Sequence, residues 1–76
     1  MKLSYDPKAN IAYMRFHEIR GAVTTLKISD EVNIDMAADG TIYGIELLNA
    51  NEQLAEDSGR LIVDTGGASR DIALVA

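Results

Sequence analysis

The residues that come nearest to a chemical pattern are three acids, Asp35, Asp39 and Glu46, within NIDMAADGTIYGIE at 33–46. A calcium loop of the helix–loop–helix kind takes oxygen ligands at positions 1, 3, 5, 7, 9 and 12, with glycine at 6. Counted from Asp35, Asp39 falls at position 5, Gly40 at 6 and Glu46 at 12. Position 3 is Ala37, which has no side-chain oxygen, and the flanks alternate with period two, so no helices hold the loop. The same residues fit a hairpin turn over Ala37-Ala38-Asp39-Gly40, with Asp39 capping and Gly40 supplying positive φ. Asp35, Asp39 and Glu46 are the metal candidates. A hydrolase built on them would need two carboxylates held about 5–10 Å apart in a cleft; Asp35 and Glu46 could face one another across the hairpin.

Other groups point less far. Glu46 sits in an otherwise apolar strand, and a buried carboxylate there needs a partner such as Arg15, or a raised pKa; the ordinary state is solvent-facing or salt-bridged. His17 is the single histidine, there is no cysteine, and the four serines form no nucleophile elbow, so a Ser-His-Asp constellation lacks support and His17 reads as exposed beside Glu18. TGGASR at 65–70 has the glycines, hydroxyl and arginine of a phosphate nest. It lacks the Walker spacing and lysine, which leaves a β-turn. Tyr5, Tyr13 and Tyr43 form either an aromatic patch for a partner or the half-buried rim of a small core. No residue set makes a catalytic centre or a cofactor site, and no cofactor is expected.

The elements that position these groups repeat with period two. KLSY at 2–5, IAYMRF at 11–16, VTTLKI at 23–28, EVNIDM at 31–36 and TIYGIELL at 41–48 read as strands, separated by turns at 6–10, 17–22, Ser29-Asp30 and 37–40. Val32, Ile34 and Met36 point inward; Tyr43, Ile45 and Leu47 share a face, opposite Ile42, Gly44 and Glu46. Apolar residues on both faces of the last strand suggest that each side of the sheet is partly covered. One short helix near 50–58 follows, opened by a capping box from Asn49 to Glu52 and stopped by Gly59. RLIVD at 60–64 is a strand, Thr65–Ser69 a turn, and DIALVA at 71–76 a last apolar segment. The fold class is α+β: a small antiparallel β-meander with one short helix. The 76 residues form one domain, with residues 1–50 as the meander core and 51–76 as helix plus C-terminal strands.

A chain of this size buries only about 60% of the surface its unfolded form exposes. With no cysteine it has neither disulfides nor thiolate zinc ligands as staples. Oligomerisation is the remaining common support. The formal net charge of −5 repels a phosphate backbone, so nucleic acid is not an expected direct partner and a basic protein is. No basic-then-apolar signal pattern follows Met1, and no apolar run reaches the ~20 residues that span a bilayer. The expectation is a cytoplasmic protein without membrane contact.

YDPKANIAYMRF at 5–16 and EVNIDMAADGTIYGIELLNA at 31–50, with the spacing between them, resemble a small bacterial family defined as a domain of unknown function, number 2283. Its members show a Tyr-Asp-Pro opening, an Asp-Gly hairpin and a Gly-Ile-Glu-Ile/Leu-Leu strand. The resemblance spans about two thirds of the chain. It implies a small meander sheet, no established activity, and an antitoxin or partner role as one option; residues 51–76 depart from the family's shorter ending. Leu61-Ile62-Val63 and Ile72-Ala73-Leu74-Val75 are more apolar than an exposed terminus should be. They either add strands within the chain or cross to a second copy. Three functional readings follow: a non-enzymatic, homodimeric interaction module; an antitoxin-like or regulatory partner of a basic protein; and the carboxylate- or metal-dependent hydrolase.

Overall fold

The structure is a computed structural model and describes residues 1–74. Five strands form one sheet: β1 (Lys2–Asp6), β2 (Ile11–Arg15), β3 (Thr24–Ser29), β4 (Val32–Met36) and β5 (Ile42–Leu48). All neighbours are antiparallel, in the order β1-β2-β5-β4-β3. The antiparallel α+β class stands. The spatial order is not strict succession, because β5 inserts beside β2 and sends β3 to the far edge. The connection over residues 16–23 therefore crosses the end of the sheet where the β4–β5 hairpin turns.

The registers place Leu3, Tyr5, Ala12, Met14, Leu47, Ile45, Val32, Ile34 and Leu26 on one face. Ser4, Tyr13, Arg15, Glu46, Gly44, Asn33, Asp35, Lys27 and Thr25 lie on the other. Strict alternation does this, as a strand's side chains point to opposite faces in turn. The β4–β5 turn forms as its residues predict. The Gly40 N–H donates to the Ala37 carbonyl (3.0 Å), Ala37 N–H to the Thr41 carbonyl (2.8 Å), and Gly40 has φ +90°.

The expected helix over 50–58 is two single turns, α1 (Ala50–Gln53) and α2 (Glu56–Gly59). Asp57 and Ser58 are left-handed, with φ 54° and 59°, so right-handed helix cannot continue through them. The capping box is also replaced. Asn49 is left-handed and makes no cap hydrogen bond to backbone; its amide donates to Glu52 Oε2 (2.9 Å) instead. The cap arrives from the β1–β2 turn: Asn51 N–H donates to Asn10 Oδ1 (2.7 Å), and Asn10 Nδ2 donates to Asn51 Oδ1 (2.8 Å). Gln53 Nε2 donates to the Glu31 carbonyl (3.0 Å) and to the Leu48 carbonyl. These contacts fasten α1 to the Asn10 end of the sheet.

The tail forms a separate two-stranded hairpin, β6 (Arg60–Thr65) and β7 (Ala68–Ala73). Its turn is the two residues Gly66-Gly67, both at positive φ, so β7 starts at Ala68 and not at residue 71. The part of the expected last segment at 75–76 lies outside the described residues.

Cover on the sheet is thinner than the two-sided apolar pattern predicts. Leu54, Leu61 and Leu74 close a cleft of about 270 Å³ with Leu3, Met14 and Leu47, over the β1–β2–β5 half of the apolar face. On the β3–β4 half, Leu26 is exposed and Val32, Ile34 and Met36 are half-buried. The buried apolar residues are Ala12, Tyr43 and Ala50, and no large side chain among the described residues is fully buried.

Candidate functional site

Three places gather polar side chains or leave apolar ones open. The first is a row across the polar face. Tyr13 on β2 lies over Gly44 on β5 and donates its hydroxyl to Asp35 Oδ2 on β4 (2.9 Å). Thr25 on β3 donates to Asp35 Oδ1 (2.7 Å). A Cβ at position 44 would sit 2.6 Å from the Tyr13 ring and 2.6 Å from the Met14 carbonyl oxygen, so only glycine lets the ring lie flat there. Beside the row, Asn33 Nδ2 donates to Glu46 Oε1 (3.0 Å). The Tyr13 hydroxyl is pushed up to about 12, first by burial, then by its hydrogen bond to Asp35 and by the charges of Asp35 and Glu46. Tyr13 is thus a neutral donor. Both oxygens of Asp35 accept hydrogen bonds within the row.

The second place is a polar cleft of about 280 Å³ at the end where the 16–23 connection passes the β4–β5 hairpin. His17, Glu18, Arg20, Asp39 and Thr41 line it. Glu18 lies 3.8 Å from Arg15 and 4.0 Å from Arg20, in exposed pairs worth little. Asp39 accepts the Thr41 backbone N–H at 2.9 Å, which with the Thr41 hydroxyl holds its carboxyl below the usual range.

The sequence-derived acids are therefore separated. Asp35 pairs with Gly44 in the ladder and Glu46 with Asn33, so the two do not oppose one another as expected. The expected Arg15–Glu46 partnership is replaced by Asn33 on Glu46 and Glu18 on Arg15. Asp39 is one end-loop away, capping its turn. Among the described residues no three histidines or acids converge to hold a metal ion. TGGASR is an exposed hairpin turn. The tyrosines form no single patch: Tyr43 is buried at the β5 bulge, and Tyr5 and Tyr13 take opposite faces. The Tyr13–Gly44 contact escaped sequence reasoning, although a glycine inside a strand is a signal of close approach.

The third place is apolar. The β3–β4 half of the sheet face leaves Leu26 and Ile28 exposed, and the β6–β7 hairpin exposes Ile62, Val63 and Ile72. Among the described residues no helix is long and apolar enough to cross a membrane. No curated protein and no solved structure matches the chain. A family model does match, over residues 2–51, which is the five-stranded sheet and the start of α1. The chain belongs to the family described as "Protein of unknown function (DUF2283)".

Proposed function

We propose that this chain is a small non-enzymatic protein-interaction module that works as a homodimer. The observation that carries the reading is surplus surface. A compact 8.2 kDa chain has about 4,500 Å² of accessible surface by the usual scaling. This one has 5514 Å², and its radius of gyration is 13.7 Å against about 11.4 Å for a compact chain of its length. The surplus of about 1,000 Å² on each of two chains equals about 2,000 Å², the upper end of a standard interface. With a core of Ala12, Tyr43 and Ala50, the monomer has little apolar burial to offset its conformational entropy.

Native mass spectrometry and light scattering test this. The expected result is twice 8.2 kDa, with a Tm that rises with protein concentration. A one-chain mass with a concentration-independent Tm overturns it. The second reading, a regulatory partner of a basic protein, is supported by the net charge of −5. A stoichiometric basic polypeptide in the species recovered from the host would put that reading first.

A further inference from the structure

The β6–β7 hairpin and the open half of the sheet are complementary features of the same chain. The hairpin is rooted on its own sheet by Leu61 and Leu74, and the Leu74 N–H donates to the Gly59 carbonyl (3.0 Å). Every residue from Ile62 to Ala73 is exposed; Ile62 still borders the cleft at the root, whereas Val63 at 43% and Ile72 at 55% share the other hairpin face beyond it. An isolated two-stranded hairpin is marginal in water. With six residues per strand, it reaches about 20 Å. On the sheet, Leu26, Ile34 and Val32 share one face, with Ile28 at the β3 bulge; Leu26 and Ile28 are exposed and Val32 and Ile34 half-buried.

We infer that the β6–β7 arm of each chain lies on the β3–β4 half of the apolar sheet face of a second copy, and receives the partner's arm in return. The inference rests on the homodimer reading. Arm and face belong to one chain, so a two-fold axis closes both contacts and leaves no free end for further growth. A contact that buries about 1,000 Å² on each chain would account for the surplus surface. Charge also permits it. Residues 1–59 carry the whole net charge of −5, whereas the arm is neutral, with Arg60 and Arg70 balancing Asp64 and Asp71. A neutral arm meets the acidic body of a second copy without like-charge repulsion. Edge-to-edge pairing through β3 is the competing geometry. A bulge between Lys27 and Ser29 and the exposed Lys27–Asp30 pair (3.3 Å) mark that edge as blunted.

The chain has no cysteine, so single-cysteine variants are unambiguous. Full-length Ile72→Cys protein is mixed with Leu26→Cys protein and treated with a short bis-maleimide, in parallel with an Ile72→Cys and Ser4→Cys mixture. A link between two different chains is intermolecular by construction. Expected are a strong 72–26 product and a weak 72–4 product, since Ser4 lies on the polar face. The product should fall at least tenfold when Val63→Lys is added to the arm, an exposed position on the same hairpin face as Ile72 and outside the chain's own cleft. A dimer mass with 72–72 links, with equal 72–26 and 72–4 links, or with no link overturns the arm-on-face arrangement and leaves the homodimer standing. A one-chain mass overturns both.

Discussion

The sheet and the arm are built from the same kind of strand and differ in what covers them. β2 and β5 have a neighbour on each side, α1 and the arm's root over one face, and the Tyr13–Asp35–Thr25 row across the other. β6 and β7 pair in full register for six residues, share an Arg60–Asp71 ion pair at 3.4 Å, and are exposed from Ile62 to Ala73. Backbone pairing alone therefore does not account for a stable element. What distinguishes the two is a second layer of contacts perpendicular to the strands. In the sheet that layer is small, because the buried residues are alanines and one tyrosine, and polar cross-strand contacts carry part of its role.

The comparison breaks first at Gly44. Gly44→Ala drives a Cβ into the Met14 carbonyl and the Tyr13 ring, and should lower unfolding stability by about 3 kcal/mol in denaturant titration; a loss under about 1 kcal/mol would mean that the ring does not lie over the strand. Tyr13→Phe removes a donor to a charged acceptor and should lower stability by about 2 kcal/mol at neutral pH. Its pH dependence has a definite sign. The folded hydroxyl titrates near 12 and the unfolded one near 10, so the contribution is complete below pH 10 and disappears as pH rises towards 12. Stability measured from pH 9 to 12 should fall in the natural chain and stay flatter in Tyr13→Phe; parallel curves would remove Tyr13 as the source.

Asn10→Ala takes away the cap on α1 and should lose about 1 kcal/mol. Proteolysis near residues 50–59 should quicken more than unfolding of the sheet. At Glu46, glutamine retains an acceptor for the Asn33 amide and should change stability by less than about 0.5 kcal/mol, whereas leucine leaves that amide unpaired and should lose about 1 kcal/mol. Equal effects for both would mean that the contact contributes nothing. Hydrogen exchange sharpens the comparison most gently. Amides of β2 and β5 should be the slowest at every concentration, while those of β7 should gain protection only as protein concentration rises.

Much of this was legible in the sequence. Alternation within each strand fixes five strands and their two faces, because a period of two has only one way to sort side chains; the bulges at Ile28 and Tyr43 interrupt it. Asp39-Gly40 specifies its turn through a local cap and a positive φ, and Gly66-Gly67 does so through backbone freedom. Local chemistry also misled where a distant residue competed. Asn49 and Glu52 have the spacing of a capping box, yet Asn10, 41 positions before Asn51, supplies the cap, and no local pattern records that. Asp35 and Glu46 share a face by parity, but which residue stands opposite each depends on the β4–β5 register.

By itself, then, the sequence determined the strands, their faces, the acidic charge and the absence of sulfur staples, since each follows from residue type and short-range spacing. Tertiary structure decided that β5 joins β2, that Tyr13 reaches Asp35 over Gly44, and that the apolar tail forms an arm over only half of its own sheet. Those outcomes depend on which distant strands meet, and pairing energies between strands are similar enough that only the whole arrangement selects among them.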